Sequence, residues 1–166
     1  MSIAKTVESC LEQHRIAYDV ISHAHAISSG DTAKAAAVLP CQIAKPVILG
    51  DEQGYVMAVV PGDRHVDVDQ LSHQLGRRLR LVDEGTFAHL FTDCELGAIP
   101  PLGPAYGVDT IIDDRLLEQA QVCFVAGDHD ELVRVDQESF RTLIAGARQA
   151  PIGCTTPAHA DAVNRL

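Results

Sequence analysis

Two apolar segments near the middle of the chain constrain the fold most strongly. "IAKPVILG" (residues 43–50) and "YVMAVVPG" (residues 55–62) are separated only by the four residues "DEQG". Apolar runs of this length, rich in valine and isoleucine, are typical of buried β-strands, and acidic residues with glycine favour the turn between two strands. The pattern therefore predicts a β-hairpin at the apolar centre of a sheet.

The rest of the chain alternates helical and strand patterns, but not in regular strand–helix–strand units. Helical patterns cover residues 2–14, 32–39, 67–76, 83–91 and 136–146, and further strand patterns cover residues 16–21, 77–82, 110–114, 122–127 and 132–135. These patterns predict a single α+β domain over residues 1–146, with a mixed sheet of about seven strands flanked by about five helices. Residues 147–166 have no sustained period and are expected to form a loosely ordered tail.

Composition narrows the class of protein further. The chain has 166 residues, of which 46% are hydrophobic, enough for one domain with its own core. It contains no apolar run long enough for a membrane span, and the N-terminus lacks the apolar region of a signal peptide. Its five cysteines are an odd number without a C-x-x-C pair. We therefore expect a cytoplasmic protein that has free thiols, no bound metal and no membrane partner.

The formal net charge of −10 means that the protein as a whole repels polyanions. A nucleic-acid partner would need a local basic patch, and residues 64–81 contain one candidate. This segment is either an ordinary solvated connection or a surface that contacts phosphates. Its four basic residues are Arg64, Arg77, Arg78 and Arg80.

Common catalytic and nucleotide-binding motifs are missing from the sequence. It has no G-x-G-x-x-G after a strand pattern, no G-x-x-x-x-G-K-[ST] and no G-x-S-x-G. The usual support for a dinucleotide-binding fold, a P-loop nucleotide-binding protein or a serine hydrolase is therefore absent, and no cofactor is expected.

Lys45 lies inside the first apolar run, where a lysine is unusual. Pro46 forces Lys45 into an extended conformation and removes one backbone donor, which favours an edge or bulge position. Two interpretations are open for Lys45. Its side chain either reaches past the apolar strand into water, or lies at a pocket wall where its ammonium contacts an ester or phosphate oxygen.

The loop "GAIPPLG" (residues 97–103) combines glycines with prolines. Such a loop can be a simple connection. Alternatively, glycine allows a ligand to approach the backbone closely, prolines stiffen the loop, and its free amides can bind a carbonyl oxygen.

Histidines form two further candidate groups. His23 and His25 in "HAHA" have a spacing that could ligate a metal, but no third ligand is evident nearby, so surface or core roles are favoured. His129 lies in the predicted turn of "AGDHDELV". It is either a solvated turn residue or a polar group that reaches a pocket at the end of the sheet.

In order and spacing, the segments "IAKPVIL", "YVMAVVPGDRHVDVDQLSHQLGRRLRL", "GAIPPLG" and "VCFVAGDHDELVRV" resemble the YbaK family of freestanding prolyl-tRNA editing domains. The resemblance runs from about residue 18 to residue 143. It implies a mixed, barrel-like sheet flanked by helices. It also implies hydrolysis of the ester in a mischarged aminoacyl-tRNA, with neither a metal nor a covalent nucleophile.

The resemblance assigns roles to particular residues. The family lysine matches Lys45, which we expect to act by positioning and electrostatics, and the family's G-x-x-x-P loop matches residues 97–101. His129 is a weaker match, and the arginines of residues 64–81 become candidate tRNA contacts. The substrate-binding candidates are thus Gly97, Ala98, Ile99, Pro100, Pro101 and His129.

The expected reaction is removal of a small amino acid from tRNA for proline by a protein acting in trans. The expected partner is the acceptor end of aminoacyl-tRNA, with a synthetase or another tRNA-binding protein as a further candidate; DNA is not expected. Pro46 stands where many family members have threonine, which puts the amino-acid specificity in question. The alternative is a non-catalytic ligand-binding or interaction module that retains the pocket.

Overall fold

The computed structural model describes residues 3–155. Within that range the chain forms five α-helices and ten β-strands. The helices are α1 (Lys5–Gln13), α2 (Ser29–Ala36), α3 (Val68–Leu75), α4 (Glu84–Phe87) and α5 (Gln137–Leu143). The strands are β1 (Asp19–Ser22), β2 (Ala44–Asp51), β3 (Gly54–Pro61), β4 (His65–Val66), β5 (Arg80–Leu81), β6 (Asp109–Asp113), β7 (Gln121–Val125), β8 (Glu131–Asp136), β9 (Arg148–Ala150) and β10 (Gly153–Cys154).

The predicted central hairpin is confirmed. Strands β2 and β3 pair antiparallel along their whole length, from Ala44 opposite Pro61 to Asp51 opposite Gly54. They form the middle of a five-stranded sheet with the order β5-β2-β3-β6-β9. The sheet is mixed, because β3, β6 and β9 run parallel to one another whereas β2 is antiparallel to both of its neighbours.

The α+β class and the five helices agree with the sequence-based prediction, but the strand arrangement differs. The described residues contain ten strands in three sheets, rather than about seven in one, and the five-stranded sheet is not closed. The additional strands are two or three residues long, too short to give a periodic pattern in the sequence. The second sheet has the order β1-β8-β7, and the third pairs β10 with β4. None of the helices in residues 3–155 is long and apolar enough to cross a membrane.

Side chains on β2 alternate between two apolar cores. Ala44 and Ile48 face the first core, which contains Phe124 and Phe140 and is covered by α1 and α5. Val47 and Leu49 face a second core beneath α3. By the same alternation, Lys45 lies on the face of the sheet that carries the second core.

Helix α3 begins and ends where the sequence predicted. The side chain of Asp67 accepts a hydrogen bond from the Gln70 amide at 3.0 Å, which caps the first turn. Gly76 follows the last turn with φ +62°, a left-handed conformation that ends the helix. Leu71, fully buried, packs α3 onto the second core and so fixes the position of the arginines that follow it.

The C-terminal part of the chain differs from the expected tail. Strands β9 and β10 join the sheets, and Ile152 between them is buried. The carboxylate of Asp113, itself fully buried, accepts hydrogen bonds from the amides of Ile152 at 3.0 Å and Gly153 at 2.6 Å. This contact is distant in sequence, which explains why local periodicity did not reveal it. The remainder of the predicted tail, residues 156–166, lies outside the described residues.

Candidate functional site

Lys45 is the second residue of β2 and pairs with Val60 on β3. Beside it, Pro46 pairs with Val59, whereas β5 pairs with β2 only at Leu49 and Gly50. Within residues 3–155, no strand therefore pairs with β2 at Pro46 on the side of β5. That side is an edge of the sheet, where proline is tolerated because its missing N–H interrupts no hydrogen bond between strands. This confirms the edge position expected for Pro46.

The half-buried ammonium of Lys45 is electrostatically perturbed. Burial lowers the pKa of Lys45 below its ordinary value, because an ammonium loses hydration there, and the negative charge of Asp63 opposes that shift. Asp63 lies just beyond the end of β3, near the start of β2. Sequence analysis did not identify Asp63, although the antiparallel register of the predicted hairpin could have placed it near Lys45.

The β7–β8 turn, residues 126–130, holds His129 with only 9% of its surface exposed. The Nε2 atom of His129 lies 2.6 Å from the carbonyl oxygen of Leu96. A carbonyl can only accept, so Nε2 carries the proton and donates, which leaves Nδ1 of the neutral ring as an acceptor. His129 is therefore held in one tautomer by the neighbouring loop.

The loop that begins at Gly97 is fastened to the same turn. The Glu95 amide donates to the Gly127 carbonyl at 2.8 Å, and the Ala98 amide donates back to the Glu95 carbonyl at 3.0 Å. Gly97 has φ +78° at the third position of this four-residue turn. A Cβ on Gly97 would lie 3.3 Å from Cε1 of His129, so glycine is needed for both the conformation and the contact.

Two backbone amides of this loop remain unused. Within the described part of the chain, the N–H groups of Gly97 and Ile99 donate to no protein acceptor, whereas that of Ala98 is engaged. Pro100 and Pro101 have no N–H and are buried, which makes the loop rigid. The sequence suggests three amides that could contact substrate. The Ala98 amide is already used within the loop, whereas those of Gly97 and Ile99 are available.

Strand pairing brings Lys45 and this turn toward the same end of the fold. Ile43 and Cys123 form a parallel bridge. Lys45 lies two residues after Ile43, and Val125 lies two residues after Cys123. The turn that carries His129 begins directly after Val125. The bridge therefore places the start of β2 beside β7, whose end leads into the His129 turn, and hydrogen bonds fasten the Gly97 loop to that turn.

The two histidines near β1 do not form a metal site in the described residues. His25 contacts His129, with ring centroids 5.2 Å apart, and its Nδ1 lies 3.0 Å from Asp130 Oδ1. His23 Nδ1 lies 2.8 Å from the carbonyl of Ala24. No group of three or more His, Cys, Asp or Glu side chains that could hold a metal ion occurs within residues 3–155.

The model of the aminoacyl-tRNA editing domain family matches residues 23–143, well over half of the chain. The chain belongs to the aminoacyl-tRNA editing domain family. The match includes Lys45, the Gly97 loop and the His129 turn. Aminoacyl-tRNA is therefore the substrate class of its family. No curated protein matches the chain.

Solved structures share the fold at low sequence identity. A candidate trans-editing enzyme for prolyl tRNA synthetase is 22% identical, with a TM-score of 0.75 over 92% of this chain and 99% of that one. A scaffold protein from the computational grafting of linear epitopes is 24% identical, with a TM-score of 0.77 over 90% of this chain and 96% of that one. A candidate signal transduction protein from Marinobacter aquaeolei VT8 is 21% identical, with a TM-score of 0.75 over 92% of this chain but only 31% of that one. These likenesses establish the fold alone.

The four arginines identified from the sequence differ in availability. Arg77 is only 14% exposed, and its guanidinium forms a bidentate pair with Asp51, with Nε donating to Oδ2 at 2.8 Å. Arg78 and Arg80 are exposed, and Arg64 is half-buried. The charge of Arg77 is therefore largely balanced within the protein, whereas Arg78 and Arg80 present theirs to solvent.

The pair of Arg77 with Asp51 predicts an acid-sensitive contribution to stability. The hydrogen bond from Arg77 is the main reason why the pKa of Asp51 is lowered to about 2. A lowered carboxyl pKa stabilises the fold above the unfolded value of ~3.9, and this contribution is lost as the pH falls toward 2. We expect Asp51→Asn to reduce the free energy of unfolding at pH 7 and to have a much smaller effect near pH 2.

Urea denaturation of both proteins at pH 7, 4 and 2.5 measures this difference. Glu52→Gln, which changes the next and exposed residue of the same turn, is the control and should leave the stability nearly unchanged at each pH. An equal difference between wild type and Asp51→Asn at pH 7 and pH 2.5 would contradict the assignment.

Proposed function

We propose that the protein acts in trans as an aminoacyl-tRNA deacylase that removes a small amino acid wrongly attached to tRNA for proline. The observation that supports this most directly is that hydrogen bonds fasten the Gly97 loop, with its two unused amides, to the His129 turn, in a chain of the editing-domain family. Lys45 lies on the strand whose start is bridged to β7, the strand before that turn. The reaction is hydrolysis of the ester between the amino acid and the terminal ribose.

The proposed chemistry relies on positioning rather than on an enzyme nucleophile. An aminoacyl ester is already activated, so a bound carbonyl and a well-placed water or substrate hydroxyl can suffice. In this proposal, the Gly97 and Ile99 amides orient the ester carbonyl and stabilise the negative charge that develops on its oxygen. Lys45 holds oxygens of the terminal nucleotide, because an ammonium in a partly dry environment interacts strongly with anionic groups.

His129 has a narrower role in the proposal. Because Leu96 holds Nε2 as a donor, Nδ1 is the ring atom that can accept a hydrogen bond from substrate or water.

Selection of the amino acid would come from the size of the pocket around these groups. A synthetase gains only ~1–3 kcal/mol of discrimination per missing methylene, so a separate site that admits only smaller amino acids adds fidelity.

Binding of the tRNA is proposed to involve the exposed Arg78 and Arg80, with Arg64 and the paired Arg77 as lesser contacts. The net charge of −10 opposes binding of a polyanion at long range. The protein would therefore rely on the acceptor end, or on a synthetase or another tRNA-binding partner in the cytoplasm, to capture its substrate.

The proposed activity is tested by incubating the protein with tRNA for proline charged with alanine, cysteine, serine or threonine. We expect hydrolysis of at least one of these esters well above the rate in buffer, while correctly charged prolyl-tRNA persists. If all four esters decay only at the buffer rate, the deacylase proposal fails and the non-catalytic binding module becomes the better description.

A further inference from the structure

A cleft of about 320 Å³ lies at the end of the sheet opposite Lys45, between the C-terminal end of α3 and strands β3, β6 and β9. Lys45 and Asp51, at the two ends of β2, are six residues apart, which corresponds to roughly 20 Å along a strand. The β2–β3 turn that follows Asp51 borders the cleft through Gln53. The cleft is therefore separate from the candidate ester-binding region.

The sheet supplies a narrow apolar floor to this cleft, whose lining is otherwise mostly polar. Val56 on β3 and Ile111 on β6 are each 3% exposed and belong to the second core, and Leu75 of α3 forms an apolar wall. Strand register places Asp109 directly opposite Val56, and Arg148 directly opposite Ile111. Partners in register share one face of a sheet, so both charged side chains border the apolar floor.

The two charged residues of this face are not paired with each other. Within residues 3–155, the side chains of Asp109 and Arg148 make no hydrogen bond or ion pair, and both residues are exposed. As diagonal neighbours on adjacent strands, they are separated by roughly 7–8 Å, enough for a small ligand to bridge them. Arg77 also lines the cleft; Asp51 pairs with its guanidinium, and the negative charge of Asp109 acts on it as well, both raising the pKa of Arg77.

The cleft thus presents one negative and one positive group beside a narrow apolar floor in a mostly polar lining. A simple anion would meet the negative charge of Asp109, a simple cation would meet the positive charge of Arg148, and Asp109 would repel a polyanion. A zwitterion satisfies both groups, and the volume is within the range of small-molecule sites.

We propose that this cleft binds a free α-amino acid with an apolar side chain. Its carboxylate accepts hydrogen bonds from Arg148, its ammonium donates to Asp109, and its side chain packs mainly against the half-buried Leu75, above the narrow floor of Val56 and Ile111. Gly146, with φ +95° and open space where a Cβ would lie, leaves room above the floor. The inference does not depend on the proposed deacylase activity.

Titration of ¹⁵N-labelled full-length protein with L-valine tests the proposal. We expect chemical-shift changes at the amides of Gly76 and Gly146 on both sides of the cleft, saturating at millimolar L-valine or below. Arg148→Gln and Asp109→Asn should each weaken binding at least tenfold, whereas Lys45→Ala should leave it unchanged. L-valinamide, which lacks the carboxylate, and 2-hydroxy-3-methylbutyrate, which lacks the ammonium, should each bind at least tenfold more weakly than L-valine.

Several results would overturn the proposal. One is the absence of saturable shifts with L-valine. Another is that Arg148→Gln and Asp109→Asn, shown by urea denaturation to be folded, bind L-valine as tightly as the wild-type protein does. The third is that either analogue binds as tightly as L-valine. Shifts at the same amides with an RNA acceptor helix but not with L-valine would instead identify an RNA surface. A wild-type protein that binds L-valine yet deacylates no tRNA would support the cleft and refute the proposed function, so the two failures are distinguishable.

Discussion

Lys45→Ala should abolish most of the deacylation of whichever mischarged tRNA the wild-type protein accepts. The side chain is half-buried at the start of β2, where loss of hydration lowers its pKa and strengthens its interaction with a bound anionic group. Removal of one preorganised electrostatic contact of this kind typically slows a reaction on the order of 10²-fold. Single-turnover deacylation rates of the two proteins measure the loss.

Two further variants separate the role of the Lys45 charge from a structural effect. Lys45→Met retains most of the apolar stem that packs beside Val60, so it should preserve the free energy of unfolding while remaining as inactive as Lys45→Ala. Lys5→Ala removes an exposed lysine at the start of α1 and should deacylate at the wild-type rate. Retention of wild-type activity by Lys45→Met would show that the ammonium is not required.

Local sequence signals predicted the parts of the fold that depend on neighbouring residues. The β2–β3 hairpin follows from two apolar runs and a short turn, and the ends of α3 follow from the capping chemistry of Asp67 and Gly76. In each case the residues that determine the structure lie within a few positions of it. Such signals are the ones that composition and periodicity can detect.

Pairings between distant segments were not predictable in the same way. The parallel ladder of β3 with β6 joins residues more than fifty positions apart, and the place of β10 depends on the buried carboxylate of Asp113. Neither leaves a periodic signal in the short segments involved. For the same reason, the sequence does not predict β9 and β10 within residues 147–155, nor the place of Arg148 beside a cleft.

The candidate site was predictable in its components but not in their connections. Proline after Lys45 indicated an edge, and glycine with prolines indicated a rigid loop with available amides. The sequence could not indicate that Ala98 uses its amide within the loop, or that Leu96 fixes the tautomer of His129. The first contact closes the turn at Gly97, and the second connects that turn to the β7–β8 turn. The relative position of the two turns is set by tertiary packing.

Gly97→Ala should reduce deacylation far more than it reduces stability. A non-glycine residue at φ +78° costs ~1–2 kcal/mol, and the added Cβ would lie 3.3 Å from both His129 Cε1 and Glu84 Oε1. Relief of these contacts needs shifts of a few tenths of an ångström in the loop or in the two side chains, which disturbs the placement of the Gly97 and Ile99 amides and of His129. Because a displacement of about 1 Å in a catalytic group can cost ~10²-fold in rate, we expect this smaller displacement to cost roughly 10-fold.

Gly107→Ala is the matched control for this prediction. Gly107 has φ +70°, close to that of Gly97, but a Cβ there would meet no atom within 4 Å. Both variants should therefore lose a similar amount of unfolding free energy in urea, while only Gly97→Ala loses deacylation activity. Equal losses of activity would mean that backbone strain alone explains the effect and that the contact between Gly97 and His129 is not needed. Unequal losses at equal stability would show that the surroundings of Gly97, which include the loop amides and His129, matter to the reaction beyond backbone strain.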